Sequence, residues 1–194
     1  MPRWTPPATP LRPPPPARAS TDPGRMPQGR PVRVHLSVVD PDDAVYRPRT
    51  VAVGPLLLVE DNAEDAEAVR RTLARIGLDL PFVHAADGTE ALALIESALA
   101  GGGALPRGVL LDLNLPGTDG REVLQRLHAD PRTASVPVIV LTTSARAADI
   151  AYCRAQHAAG YFLKPVRLAD LAALLSRVRD FLLAGTPLPP YPAP

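Results

Sequence analysis

The chain has 194 residues, of which 46% are hydrophobic and only 4% aromatic, so it can bury a sizeable core that must be mainly aliphatic. Its formal net charge of +1 gives no indication of a nucleic-acid partner. No apolar run approaches the roughly 20 residues of a membrane helix, and Cys153, the single cysteine, excludes an internal disulfide. We therefore predict a cytoplasmic protein without a membrane segment, in which Cys153 serves packing.

Proline content divides the chain into three parts. Residues 1–31 contain eleven of the 25 prolines, and arginine and alanine dominate the rest of that segment. Such a composition cannot bury enough apolar surface to offset its ordering entropy. We therefore predict that residues 1–54 are a Pro/Arg-rich, largely disordered extension. Residues 55–184 are predicted to form one folded domain, and residues 185–194 a frayed, Pro-rich tail.

Within the predicted domain, five short apolar runs alternate with segments of helical periodicity. The predicted strands are residues 56–59, 81–85, 109–111, 137–141 and 161–163. A helix is predicted after each strand, and the first four lie near residues 66–76, 89–99, 120–129 and 145–158. Ser144 is the predicted cap of the fourth helix. The last helix is lined by Leu168, Leu171, Leu174, Val178 and Phe181. This alternation is typical of a doubly wound parallel sheet covered by helices on both faces.

Polar residues follow four of the five strands. Glu60 and Asp61 follow the first strand, Asp112 the third, Thr142 the fourth and Lys164 the fifth. Because ligands of open parallel sheets bind at the carboxyl ends of the strands, these side chains are expected to converge there. Three carboxylates repel one another unless a cation lies among them, and all-oxygen ligands suit Mg²⁺. A carboxylate can also attack phosphorus, with an ammonium and a hydroxyl stabilising the transferred group.

Lys164 is the only lysine among 21 basic residues. A composition so biased towards arginine favours a site where a compact ammonium does what a planar guanidinium cannot. A site beside a phosphorylated carboxylate is of this kind. The alternative is chance retention of a lysine in a solvated loop.

Segments around these residues carry a resemblance to a known family. They are residues 57–62 (LLVEDN), 110–116 (LLDLNLP), Gly120, residues 137–142 (PVIVLT) and residues 163–165 (LKP). In this order, with 30 residues from Asp112 to Thr142 and 22 more to Lys164, they resemble the signature of response-regulator receiver domains. The resemblance covers roughly residues 55–184. It implies a flavodoxin-like sheet with the strand order 2-1-3-4-5.

The resemblance also implies roles for the residues at the strand ends. Asp112 would be the phosphoacceptor. Asp61, Asp112 and the backbone carbonyl of Asn114 would bind Mg²⁺, with Glu60 acting through a water on the metal. Many receivers carry two aspartates where this chain has Glu60 and Asp61, which leaves the Mg²⁺ affinity open.

Three further residues complete the implied phosphorylation switch. Thr142 would move to meet the phosphoryl group, and Lys164 would pair with that group. The Lys164–Pro165 peptide bond would be cis. Tyr161 would be the aromatic residue that changes rotamer together with Thr142. The alternative for Tyr161 is plain core packing.

A narrower resemblance concerns the partners. Residues 60–62, 120–124 and 141–144 resemble single-domain regulators partnered with bacterial and cyanobacterial phytochromes. This implies a histidine kinase partner of the bacteriophytochrome type. Because one helix and a Pro-rich tail follow Lys164, we expect output through protein partners, or a domain that relays or drains phosphate. We predict no DNA binding, since residues 56–194 carry thirteen basic and sixteen acidic side chains.

We also predict a homodimer through the fourth helix, fifth strand and last helix. Charges of both signs on this face suit a self-complementary twofold interface. They are Arg146, Asp149, Arg154, Arg167, Asp170, Arg177 and Asp180.

Two other classes of function remain open. A degenerate receiver would act as a phosphorylation-independent binding module, but its mark would be loss of Asp112 or Lys164, and both are present. An aspartate-nucleophile phosphatase would carry a second aspartate where this chain has Asn114. We therefore predict a phosphoacceptor with at most self-phosphorylation and self-dephosphorylation, not an enzyme. The four histidines share no spacing and are predicted to be neither metal ligands nor phosphorelay sites.

Overall fold

The computed structural model describes residues 54–78 and 80–192, so the predicted extension lies outside it except for Gly54. Five parallel strands form one sheet in the order β2-β1-β3-β4-β5, which confirms the predicted fold class. The strands are β1 (Leu56–Val59), β2 (Phe82–Ala85), β3 (Gly108–Leu111), β4 (Val138–Thr142) and β5 (Gly160–Leu163). The helices are α1 (Ala63–Arg75), α2 (Gly88–Ala100), α3 (Gly120–Ala129), α4 (Ala147–Ala155) and α5 (Leu168–Ala184). Among the described residues, no helix is long and apolar enough to cross a membrane.

The sheet is covered by helices on both faces. Successive side chains of a strand point to opposite faces, and accordingly Leu57 and Val59 pack on one side, Leu56 and Leu58 on the other. Helices α2, α3 and α4 cover the first face, and α1 and α5 cover the second. Cys153 of α4 is fully buried in the first cluster, as its predicted packing role requires. Every residue of β1, β3 and β4 is buried, which explains why these strands read as continuous apolar runs.

Side-chain caps fix where the helices next to the strand ends begin. The Asn62 side chain accepts hydrogen bonds from the backbone N–H groups of Glu64 (2.9 Å) and Asp65 (3.1 Å). Asp119 likewise accepts one from the N–H of Arg121 (2.7 Å). These caps satisfy N–H groups that have no partner inside the helix. Helix α1 therefore starts directly behind the acidic residues that follow β1.

Helices α4 and α5 differ in detail from their predicted forms. Helix α4 starts two residues later than predicted, because Arg146 is its extended N-cap and the Ser144 hydroxyl is bound to Asp149 instead. It also ends three residues earlier than predicted, at Ala155, and the φ of +55° at His157 is outside the helical range. The buried face of α5 is formed by Leu171, Leu175, Val178 and Leu182. Leu168, predicted to line that face, is exposed.

The C-terminal segment, residues 186–192, packs against the domain, so the predicted fraying is wrong for these residues. Gly185 ends α5 in the left-handed conformation, which turns the chain back towards the sheet. Leu188 then lies over Gly160 at the edge strand β5, so close that a Cβ there would be 2.9 Å from its methyl group. The Tyr191 hydroxyl donates to the carbonyl of Ala158, and the Arg154 guanidinium lies 5.1 Å from the Tyr191 ring centre. A segment rich in proline loses little backbone conformational entropy on docking, so a few contacts are enough to hold it against the domain.

Replacing Tyr191 by alanine is expected to lower the free energy of unfolding by about 2 kcal/mol, because a half-buried ring and a hydrogen bond are lost. Urea unfolding of the full chain measures it. Tyr191→Phe keeps the ring and should lose only about 1 kcal/mol. Equal unfolding midpoints for Tyr191→Ala and wild type would show that the C-terminal segment is not docked in solution.

Candidate functional site

The backbone ladder brings the ends of four strands to one edge of the sheet. The N–H of Asp112 donates to the carbonyl of Val59 (3.0 Å), which sets the end of β3 beside the end of β1. The N–H of Lys164 donates to the carbonyl of Thr142 (2.8 Å), which sets the end of β5 beside the end of β4. The predicted convergence of polar residues at this edge is therefore present in the structure.

Lys164 is the centre of the cluster. Its Nζ lies 2.7 Å from a carboxylate oxygen of Glu60, 2.7 Å from one of Asp112 and 2.9 Å from one of Asp65. Burial alone would lower the pKa of this lysine, but the hydrogen bonds to Asp112, Glu60 and Asp65 outweigh burial and raise it. The ammonium is therefore charged at any physiological pH. No sequence motif marks Asp65 as a partner of Lys164, although Asp65 lies one helical turn after Asp61.

Three carboxylates at the same edge offer oxygen ligands for a cation. Oxygen atoms of Glu60, Asp61 and Asp112 all lie within 4.8 Å of one another. Glu60 and Asp112 are buried, whereas Asp61 is exposed. Burial raises the pKa of Glu60, and the Lys164 ammonium offsets only part of that effect. An acidic, all-oxygen pocket that holds more carboxylates than ammonium groups fits a hard divalent cation such as Mg²⁺ or Mn²⁺.

Asn114 lies next to the acidic pocket. Its backbone N–H donates to a carboxylate oxygen of Asp112 (3.1 Å), and its side-chain amide donates to the hydroxyl of Thr143 (3.2 Å). Metal binding by the Asn114 carbonyl stays a prediction. The Lys164–Pro165 peptide bond is trans, so the predicted cis bond is wrong; trans is the form that X–Pro bonds ordinarily prefer.

Thr142 and Tyr161 are connected through Ser144. Both side chains are buried, and the Thr142 hydroxyl accepts a hydrogen bond from the backbone N–H of Ser144 at 3.3 Å. The Tyr161 hydroxyl donates to the backbone carbonyl of the same serine at 2.8 Å. A displacement of Thr142 would therefore shift the Ser144 backbone and, with it, the hydrogen bond of the Tyr161 hydroxyl.

An ion pair between the buried Asp149 and the partly buried Arg121 holds this loop. The Asp149 carboxylate accepts hydrogen bonds from Nε of Arg121 in α3 (3.1 Å) and from the Ser144 hydroxyl (2.5 Å), and Nη2 of Arg121 lies 2.7 Å from it. Burial alone would raise the pKa of Asp149, but these bonds from Ser144 and Arg121 outweigh burial and lower it. The two partners are 28 residues apart, and nothing in the local pattern marks them as a pair.

Asp149→Asn is expected to cost about 2 kcal/mol of stability at pH 7, because charge-assisted hydrogen bonds are lost. Since the folded-state pKa lies below the ordinary 3.8, this contribution is fully present above about pH 4 and is lost as the pH falls through the folded-state value. Urea unfolding of wild type and variant between pH 7 and pH 3 measures the difference. Asp170→Asn, an exposed change in α5, is the control and should cost much less. A difference between wild type and Asp149→Asn that does not shrink in acid would contradict this account.

Two of the described histidines contact backbone carbonyl groups, and the third lies in a turn. The Nε2 atom of His84 lies 2.8 Å from the carbonyl oxygen of Glu60, and Nδ1 of His128 is bonded to the carbonyl of Gln156. His157 occupies the turn after α4. None of the three belongs to the group of possible metal ligands found among the described residues, and His35 lies outside them.

A doubly wound sheet with acidic residues, a buried threonine and one partly buried lysine at its strand ends defines the class of receiver-type signalling domains. The chain belongs to the response regulator receiver domain family, whose family model matches residues 56–176. It is the receiver domain of a two-component response regulator.

Named relatives support this assignment. The chain is 37% identical over 128 residues to the probable methanogenesis regulatory protein FilR2 of Methanothrix harundinacea, a match that covers 66% of this chain and 83% of FilR2. It is 34% identical over 135 residues to the response regulator Rcp1 of Synechocystis sp., covering 69% of this chain and 92% of Rcp1.

Solved structures of the same type superpose on the domain. The phosphorylated cyanobacterial phytochrome response regulator RcpA matches with a TM-score of 0.64 and 34% identity, over 72% of this chain and 100% of that chain. The Mn²⁺-bound form of Rcp1 matches with a TM-score of 0.62 and 33% identity, over 71% of this chain and 99% of that chain.

Proposed function

We propose that Asp112 accepts a phosphoryl group from a partner histidine kinase. The observation that carries this proposal is the Lys164 ammonium 2.7 Å from the Asp112 carboxylate, in a pocket at the strand ends. An oxygen of Asp112 attacks phosphorus, the P–N bond to the kinase histidine breaks, and its electron pair stays on that nitrogen. Lys164 then pairs with the added negative charge, and the Thr142 hydroxyl donates a hydrogen bond to a phosphoryl oxygen.

We propose Mg²⁺ as the cation of this pocket. Glu60, Asp61, Asp112 and the Asn114 carbonyl would hold it, and when bound it supplies positive charge against the phosphoryl oxygens. The oxygen ligands within 4.8 Å of one another support this, as does the Mn²⁺-bound form of the relative Rcp1. Without the cation, Lys164 alone would face the combined charge of the acids and the phosphoryl group.

An exposed apolar rim supports a protein as the phosphoryl donor. Leu163, Val166 and Leu168, all within four residues of Lys164, are among the few large hydrophobic side chains exposed on the described surface. Such a patch beside a reactive pocket marks a protein contact. We propose a phytochrome-type kinase, because RcpA is a phytochrome response regulator, and a cytoplasmic location, which suits the lone reduced cysteine.

Output is proposed to pass through protein contacts at α4, β5 and α5. Movement of Thr142 would loosen the Ser144 carbonyl from Tyr161 and change this face. A homodimer there remains our proposal, with two changes to the surface that sequence analysis describes. Asp149 is buried against Arg121, which removes it from the proposed interface. Arg154 lies on Tyr191, so we propose that the C-terminal segment contributes to the interface. Light scattering that finds monomers with and without phosphorylation would reject the dimer.

Intact mass after incubation with acetyl phosphate and Mg²⁺ tests the function. We expect wild type to gain one phosphoryl group and Asp112→Asn to gain none. A gain in both would place the acceptor elsewhere. No gain in either, repeated with a phosphorylated phytochrome-type kinase, would favour the degenerate receiver that binds partners without phosphorylation.

A further inference from the structure

Asp65 is a third acidic partner of the lone lysine and has no part in the phosphorylation chemistry proposed above. It lies in the first turn of α1, where the Asn62 cap anchors its backbone N–H at 3.1 Å. Its carboxylate reaches Lys164 at 2.9 Å, although its side chain is 46% exposed. Glu60 and Asp112, by contrast, are almost wholly buried.

An ammonium has three N–H donors, and in this structure three carboxylates accept them. A phosphoryl group on Asp112 adds three strong acceptor oxygens and removes the charge of the Asp112 carboxylate. The N–H that Asp112 held can pass to one phosphoryl oxygen, but a second phosphoryl oxygen needs an N–H that Glu60 or Asp65 now holds. Releasing buried Glu60 would leave a charge without solvent, which is costly. Releasing Asp65 costs little, because water can replace the lysine at a half-exposed carboxylate.

We propose that Asp65 is a positioning residue that holds Lys164 before phosphorylation and competes with the phosphoryl group for its ammonium. This inference rests on the proposed phosphorylation of Asp112. The Asp65 carboxylate then slows phosphorylation in two ways. Its negative charge repels the anionic phosphoryl donor, and it occupies one N–H group of Lys164. The benefit is a lysine kept at the pocket, ready to transfer to the phosphoryl group.

The test compares Asp65→Asn with Glu64→Gln in the full chain. Glu64 is the adjacent acid in the same helical turn, is exposed, and forms no ion pair with Lys164, so the control removes an equal charge nearby. The rate of phosphorylation is measured against acetyl phosphate concentration at saturating Mg²⁺. We expect Asp65→Asn to lower the half-saturating concentration about threefold to tenfold, with the maximal rate within about twofold of wild type.

A merely structural role would lower the unfolding midpoint but would not shift half-saturation at an unchanged maximal rate. Asp65→Glu, which restores the charge, should return half-saturation towards wild type. An unchanged half-saturation in Asp65→Asn, or an equal shift in Glu64→Gln, would overturn this inference alone. If neither wild type nor Asp65→Asn gains a phosphoryl group from acetyl phosphate or the kinase, the proposed function fails and this inference with it.

Discussion

Replacing Lys164 by arginine is expected to slow phosphorylation of Asp112 by about a hundredfold or more, although the positive charge is kept. The side chain is only 13% exposed, and its Nζ lies within 2.9 Å of three carboxylate oxygens, two from the loops after β1 and β3 and one from α1. A planar guanidinium directs its donors in a fixed fork, whereas the ammonium is a compact charge that can serve three directions. Arginine would therefore either displace the acids or fail to reach the phosphoryl group.

The rate of phosphorylation by acetyl phosphate at saturating Mg²⁺, followed by intact mass, measures this effect. Arg167→Lys provides the control, because it makes the reverse exchange at an exposed position three residues further on and should leave the rate unchanged. Phosphorylation of Lys164→Arg within about threefold of wild type would show that charge suffices. The retention of a single lysine in an arginine-rich chain would then have no explanation at this site.

Gly120→Ala is expected to destabilise the domain by about 3 kcal/mol or more. A Cβ at this position would lie 2.1 Å from the backbone oxygen of Asp112 and 2.7 Å from Cα of Leu113. Both are backbone atoms at the end of a buried strand, so neither can move aside cheaply. Glycine is needed here because α3 begins directly against the loop that carries Asp112.

Urea unfolding of the full chain measures the loss, and phosphorylation of the folded fraction should also fall, since the clash displaces Asp112. Gly103→Ala is the matched control, because a Cβ there meets its nearest neighbours at 3.6 Å, an ordinary contact. That variant should unfold within about 0.5 kcal/mol of wild type. If Gly120→Ala unfolds at the wild-type midpoint, the close approach of α3 to the Asp112 loop does not exist in solution.

The sheet and the main site residues are readable from the sequence for a simple reason. Strands buried on both faces are wholly apolar, so their ends are marked by the first polar residue, as Glu60 and Asp112 show. The edge strand β5 is only partly buried, but its apolar run likewise ends at Lys164. Parallel order then brings those ends to the same edge without further information. The resemblance to receiver domains adds the roles of these residues, which periodicity cannot supply.

The contacts that tune the site depend on tertiary structure. Asp65 and Lys164 are 99 residues apart, and Asp149 and Arg121 are 28 apart, so no local pattern links either pair. Composition likewise predicted a frayed C-terminal segment, because proline content reports on helix and strand formation but not on docking. Only the folded surface of β5, where Gly160 leaves room for Leu188, decides that this segment packs against the domain.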